Sequence, residues 1–456
     1  MEWYWALALL FGTILFLMMI GFPVGLAFLV ANVVGASYFM GGSGTTMEQI
    51  DRGVGILLKN GFDFITSFFI VPIPMFLLMG ELFFYTGLAN RMFDGIDKLM
   101  GKTPGRLSYV TVAGGTAFAS LSGSSMGSAA LLGTVMVPEM VRRGYKKFMA
   151  IGPILGTGGI AILIPPSALG VLLGTLAELD IGALLIAGIL PGLILAAMYA
   201  VFIFVRVRLD PSSAPVYDVP YISPLKRLGI FTTEVLPMMS VIVAVILLTV
   251  GTPITPKVAP SESAAYGCVG VIVLAAIYRK LNLSSFWRSV EAATRITIMA
   301  LLIIFGSQTF SSILSFSGAS AGLIKWATAF NLDPIIMLFI MFGILLVLGC
   351  FMDQLSMMLL TVPIFFPLAN TFGWDPIWFA IIVMMSLEIS FTTPPFGLLL
   401  FVMQGIAPPG TTFWEICRSA IPYILCAMLL VALIVVAPAI ATWLPEVIGD
   451  YKTQWR

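Results

Sequence analysis

Apolar runs long enough to cross a bilayer follow one another along nearly the whole of this 456-residue sequence, so most of its backbone must satisfy its own hydrogen bonds as helix. With 59% hydrophobic and 10% charged residues and a mean hydropathy of +1.05, the chain has more apolar surface than a water-soluble core absorbs. It reads as an all-α polytopic membrane protein. The formal net charge of +1 argues against nucleic acid or an acidic soluble partner. The absence of histidine excludes histidine acid–base catalysis, zinc–histidine sites and histidine proton relays. Carboxylates, hydroxyls and carbonyls remain for any proton or cation chemistry. Cys268, Cys350, Cys417 and Cys426 lack metal-ligand spacing and read as small core residues without a disulfide. The stretch Trp3 to Ile20 has neither a basic n-region nor a small-residue cleavage pattern, and reads as a first transmembrane helix rather than a removed signal.

Spans are expected near residues 3–20, 23–40, 64–86, 148–175 and 182–205, and again near 229–250, 263–279, 296–317, 376–405 and 420–443. Two further apolar blocks, 108–142 and 335–373, are too long for one crossing and turn on small or polar residues near their middles, the pattern of re-entrant helical hairpins. Arg91, Lys98, Lys102 and Arg106 precede the first block, and Arg142, Arg143, Lys146 and Lys147 follow it, which places both its ends on the cytoplasmic side. The second block is flanked by Asp333 and Asp375 and enters from the opposite face. The result is an inverted 5+5 transmembrane repeat, residues 1–205 and 229–456, joined by a cytoplasmic linker at 206–228. Met47 to Asn60 and Leu283 to Arg295 are amphipathic and read as interfacial helices, each before the third span of its half.

Two stretches break a helix in the same manner, Ile162-Leu163-Ile164-Pro165-Pro166-Ser167 and Phe391-Thr392-Thr393-Pro394-Pro395-Phe396. Pro367 stands 229 residues after Pro138, and Pro394 stands 229 after Pro165, so the chain looks internally duplicated. Paired proline-interrupted segments in corresponding halves point to the midplane binding site of a secondary transporter. Within a helix these prolines leave the carbonyls of Ala161 and Ile162, and of Ser390 and Phe391, without donors, and a hard cation such as sodium takes bare oxygens. The alternative is a kink that serves helix packing alone.

Each hairpin block has a distinctive tip. Between Gly114 and Ala130 every residue but Phe118, Leu121 and Met126 is Gly, Ala, Ser or Thr, centred on Ser122-Gly123-Ser124-Ser125. Small residues also serve a close helix crossing, but hydroxyls clustered around a glycine suit coordination begun by Ala161 and Ile162, and the helix N-terminus that follows offers donors to an anion. The second tip reads Gly349-Cys350-Phe351-Met352-Asp353-Gln354-Leu355-Ser356. Asp353, an ionisable group in an apolar block, is expected to be a cation ligand, with a helix N-cap or a packing contact as alternatives. Glu388 is expected to be structural, held between helices through Ser386 and Ser390, while Glu81 and Glu139 fall near the cytoplasmic interface without a transport role.

Taken in order and spacing, these residues resemble a family, the large membrane subunit of tripartite ATP-independent periplasmic transporters. The resemblance covers nearly the whole chain. It rests on Gly21-Phe22-Pro23-Val24-Gly25, Gly80-Glu81-Leu82, the first tip, Val137-Pro138-Glu139-Met140, Ala187-Gly188-Ile189-Leu190-Pro191-Gly192, Phe351-Met352-Asp353 and Thr393-Pro394-Pro395-Phe396-Gly397. It implies a bacterial inner-membrane importer with an elevator-type mechanism driven by a sodium gradient, without a cofactor. Its partners would be a small four-helix membrane subunit, a periplasmic substrate-binding protein that delivers an organic acid, and the lipid bilayer. Carried over by position, one sodium site would use Ser122, Gly123, Ser125, Ala161, Ile162, Ile164 and Ser167, and a second Gly349, Asp353, Ser390, Phe391, Thr392 and Thr393. Ser124, Ser125 and Thr393 would contact the substrate carboxylate. The family more often has glycine where this chain has Ala161 and Ser390, changes that backbone ligands survive.

Three other classes are weighed against this reading. A single-component ion or carboxylate carrier of the same architecture would work without a binding protein. An ion channel repeats its filter around a symmetry axis, whereas these two tips differ in chemistry. An intramembrane enzyme or an ATP-driven pump lacks support, since the sequence has no paired catalytic carboxylates on one helix and no phosphate-binding loop.

Overall fold

The computed structural model describes residues 2–22, 24–42, 45–66, 70–122, 125–165, 167–217, 222–251, 255–256, 258–329, 332–349, 352–394, 397–448 and 451–452. No strand occurs among them. The chain begins with α1 (Trp3–Met19), α2 (Val24–Gly35, prolonged by a π-turn to Met40) and the amphipathic α3 (Thr46–Ile65). Next come α4 (Pro72–Tyr85) and α5 (Leu88–Met100), bent by 65° where Gly87 takes a φ of 73°. A helix pair, α6 (Arg106–Ser122) and α7 (Ser125–Arg142), leads to α8 (Lys147–Gly158), α9 (Ala168–Leu176) and the long α10 (Ile181–Leu209).

The second part opens with α11 (Pro224–Ile230), continued through a π-turn into α12 (Leu236–Val250), then α13 (Pro260–Ile277), the 34-residue α14 (Leu283–Phe316) and α15 (Ala319–Ala329). The pair α16 (Pro334–Leu348) and α17 (Gln354–Thr371) precedes α18 (Pro376–Thr392), α19 (Leu398–Ile406), α20 (Phe413–Val436) and α21 (Ala439–Ile448). A helix pair, an interrupted helix and a long apolar helix therefore follow one another twice. Among the described residues five helices are long and apolar enough to cross a membrane, six if α4 and α5 count as one span.

The helix starts follow from the sequence. Asp180, Asp333, Asp353 and Asp375 each accept backbone N–H groups at the head of an apolar helix, and in α16 and α18 a proline follows directly at the first helical position. The interrupted helices make the centre: α8 is buried from Met149 to Gly158 and α18 from Ile377 to Thr392, as expected of helices apolar on every face. Around α8 pack α6, α7 and α20, around α18 pack α16, α17, α20 and α10, and α4 lies against α13 and α14.

Several expectations need correction. The span placed at 64–86 begins only at Pro72, because α3 takes residues to Ile65. The interfacial helix expected at 283–295 is not separate from the span at 296–317, since α14 contains no proline and runs unbroken through both. The last span lies at 413–436 rather than 420–443, with α21 after it, and α5 and α15 are helices that the span count did not foresee. Helix also enters both ends of the linker: α10 reaches Leu209 with Arg206 and Arg208 in its last turn, favourable to the helix dipole, and Ser223 caps α11.

The basic residues flanking the first hairpin form a tied cluster with the linker. Arg106 pairs with Asp97 at 2.7 Å, Arg143 with Glu139, and Lys146 with Asp210 at 2.7 Å, while the Arg143 guanidinium stacks 3.9 Å from the Tyr217 ring centroid.

Candidate functional site

The interruption between α8 and α9 is a run of tight turns. The N–H groups of Gly159, Ile160, Ala161 and Leu163 each reach back three residues, to Gly156, Thr157, Gly158 and Ile160, and Ser167 then caps α9 by accepting from the Gly170 N–H at 3.0 Å. Gly188 of α10 lies so close behind this loop that a Cβ there would collide with the Leu163 carbonyl oxygen. Among the described residues no backbone N–H outside the helices donates to the carbonyls of Ala161, Ile162 or Phe391. The carbonyl of Ser390, expected to be bare, accepts from the Thr393 N–H at 3.2 Å.

The second tip rests directly on α18, since a Cβ on Gly349 would collide with the Ser390 side chain. Asp353 caps α17 by accepting from the N–H groups of Leu355 at 3.1 Å and Ser356 at 3.4 Å, and also takes the Ser356 hydroxyl. The capping alternative is thus realised. The carboxylate nevertheless lines a cavity of about 520 Å³ together with Ser125, Gln354 and Phe391. That volume suits a small organic ligand. Much of the remaining lining is apolar and includes Ile73 and Leu77 of α4 and Ile296, Met299 and Leu302 of α14.

Glu388 is where the expectation fails most instructively. Ser386 Oγ donates to the Ile382 carbonyl and Ser390 Oγ to that of Leu387, so neither serves the carboxylate, as side chains two apart on a helix do not face each other. Instead Glu388, 4% exposed, accepts at Oε2 from Ser125 Oγ at 3.0 Å and from Gln354 Nε2 at 2.6 Å. One oxygen therefore joins the first residue of α7 to the first residue of α17. Its other oxygen, Oε1, is buried without a hydrogen-bond partner among the described residues.

The structure brings Ser125, Asp353 and Phe391 to one cavity and sets Ser390 against Gly349. Ser122 closes α6, and Ala161, Ile162, Ile164 and Ser167 are buried in and beside the first interruption. Thr392 and Thr393 end α18 with hydroxyls given to the carbonyls of Glu388 or Ile389, and Thr393 is not among the residues lining the cavity. Gly123, Ser124, Pro166, Cys350, Phe351, Pro395 and Phe396 lie outside the described residues. Gln354 was missed; its only signal was a long polar side chain beside Asp353 in an apolar block.

An all-helical apolar body with interrupted helices at its centre and a cavity at their tips belongs to the class of membrane transporter folds. The YdaH transporter of Alcanivorax borkumensis shares it with a TM-score of 0.61 at 13% identity, over 86% of this chain and 87% of that one. MtrF of Neisseria gonorrhoeae does so with a TM-score of 0.62 at 12% identity, over 94% and 96%. Within that class, residues 11–440 match the family described as Tripartite ATP-independent periplasmic transporter, DctM component, and the chain belongs to this family. It is 31% identical to the C4-dicarboxylate TRAP transporter large permease protein DctM of Pseudomonas aeruginosa, over 83% of this chain and 87% of that protein. It is 26% identical to the sialic acid TRAP transporter large permease protein SiaM of Vibrio cholerae, over 88% and 91%. With the isethionate TRAP transporter permease protein DctMQ of Oleidesulfovibrio alaskensis it shares 27% identity, over 97% of this chain and 65% of that protein. These relatives are transporter permease subunits, and the protein is a permease subunit rather than an enzyme.

Proposed function

We propose that this subunit is the substrate-conducting permease of a sodium-coupled importer of a small organic acid in a bacterial inner membrane. It works by an elevator motion, with a small membrane subunit and a periplasmic substrate-binding protein. The observation that carries the reading is the meeting of both hairpin tips and the end of α18 at one cavity of about 520 Å³. The relatives are named for C4-dicarboxylate, isethionate and sialic acid, all organic acids. The DctMQ relative is longer than this chain, with room for a second membrane component in one polypeptide.

The sodium sites are those assigned to Ser122, Gly123, Ser125, Ala161, Ile162, Ile164 and Ser167, and to Gly349, Asp353, Ser390, Phe391, Thr392 and Thr393. The carbonyls of Ala161, Ile162 and Phe391, which accept no backbone N–H from outside the helices among the described residues, and the Asp353 carboxylate supply the oxygens that a hard cation takes. The hydroxyl protons of Ser125 and Thr393 are given to Glu388 and to the Ile389 carbonyl, so either side chain can serve a ligand only as an acceptor, and of the two Ser125 lines the cavity. No Lys or Arg lines the cavity among the described residues. An organic anion there is held by bound cations and by tip backbone donors, which makes its binding depend on sodium; that dependence is the coupling. The smooth apolar wall of α4 and α14 suits a body that slides along it, and the inverted relation of residues 1–205 and 229–456 supplies its two end states.

The test is uptake into liposomes under a sodium gradient with the two partner proteins, using C4-dicarboxylates, sulfonates and sugar acids as probes. Uptake that needs both sodium and the binding protein supports the reading. Uptake of free solute without the binding protein moves the subunit to the single-component class, and uptake indifferent to sodium removes the proposed cation sites.

A further inference from the structure

The two residues that hold Glu388 occupy equivalent places: Gln354 stands 229 residues after Ser125, the displacement that also relates the paired prolines. The position 229 residues before Glu388 is Gly159, and a Cβ added at Gly159 would come within 2.9 Å of Glu388 Cγ. So the counterparts Glu388 and Gly159 face each other at the point where the two interrupted helices meet. There is room for one acidic side chain only, and the glycine provides it. That side chain uses one oxygen for both tips, Oε2, leaves Oε1 without a partner among the described residues, and lines a small cavity together with Tyr199 and Tyr423. A single acceptor shared by two donors makes each donor sensitive to the position of the other.

We propose that Glu388 is a positioning residue that latches the two hairpin tips to each other through one carboxylate oxygen, with Gly159 as the space it needs. Occupancy at one tip then sets the geometry of the other. Its functional half rests on the sodium reading above; the mechanical half does not. Because only one oxygen is used, the latch needs an acceptor and not a charge. The carbonyl oxygen of a glutamine can receive both Ser125 and Gln354, with its amide free for the cavity also lined by Tyr423, whose hydroxyl has no partner among the described residues.

The experiment compares wild type, Glu388→Gln, Glu388→Ala and Gly159→Ala by amide hydrogen exchange at the starts of α7 and α17, and by sodium dependence of uptake. In Glu388→Ala and Gly159→Ala, exchange should rise at both starts together, and sodium should act less cooperatively, with a half-saturating concentration about two- to thirtyfold higher. Glu388→Gln should rescue both readouts. Faster exchange at one tip only, or at neither, overturns the latch. So does a Glu388→Gln protein as impaired as Glu388→Ala, because the charge would then be what matters. Should Glu388→Ala fail to fold, Gly159→Ala, which retains the carboxylate but displaces it, decides the matter. A wild type indifferent to sodium refutes the sodium reading and the functional half of the latch, while exchange still tests the mechanical half.

Discussion

At the scale of the residue, Asp353 holds two roles that a pair of substitutions separates. Asn caps a helix about as well as Asp, so Asp353→Asn keeps the head of α17 and removes only the charge. In thermal unfolding with sodium against choline, wild type should gain roughly 2.7 kcal/mol at a hundred times the dissociation constant, and Asp353→Asn should lose that gain while unfolding normally in choline. Asp353→Ala should cost a further ~1 kcal/mol in choline. A sodium gain retained in Asp353→Asn takes the residue out of the cation site. Ser125→Ala leaves buried Glu388 with one donor of two and should cost about 1–3 kcal/mol, read as a lower melting temperature in choline as well as in sodium. An intramembrane carboxylate at 388 was visible in the sequence as a costly group in need of partners. The partners were not visible, because they lie 263 and 34 residues away and no local pattern encodes that meeting.

Among elements, the helix interruptions and the paired helices were the most legible features, since proline chemistry and the length of an apolar block act locally. Block lengths of 108–142 and 335–373 map closely onto α6–α7 and α16–α17. What escaped was continuity. An amphipathic run passing into an apolar one looks like two helices, yet only a breaker separates them, and α14 has none, whereas Pro72 opens α4 afresh after α3. Glycine also reads differently by element. Gly188→Ala drives a methyl into the Leu163 carbonyl, backbone that has little freedom to move, and should destabilise by about 1–3 kcal/mol. Gly55→Ala, on the open face of α3, meets nothing and should stabilise by up to about 1 kcal/mol through helix propensity. Equal melting temperatures for the two variants would contradict the packing around the first interruption.

For the whole molecule, the linker is fastened rather than loose. Hydrogen bonds from Lys146 and Ser212 hold the Asp210 carboxyl below its ordinary value, so this contribution is present above the usual Asp range near 3.9 and is lost as pH falls through the lowered folded value. Wild type should therefore lose melting temperature on acidification below about pH 4 more steeply than Asp210→Asn, and parallel profiles would discount the tie. The twofold order of helix pair, interrupted helix and long apolar helix was legible because proline breaks and apolar block lengths leave their spacing in the sequence. The asymmetry between the halves was not, and α14 carries it. At 34 residues it is about 51 Å long, against a hydrocarbon core of about 30 Å. Because its amphipathic start and its apolar remainder form one rod, a tilt that fits the apolar part to a thinner or thicker bilayer swings the start as well, while on the side of α3 and α4 the corresponding pieces are separate helices. Lipid thickness then acts as an unequal hand on the wall that faces the cavity, and the rate of transport should depend on acyl-chain length even where substrate affinity does not.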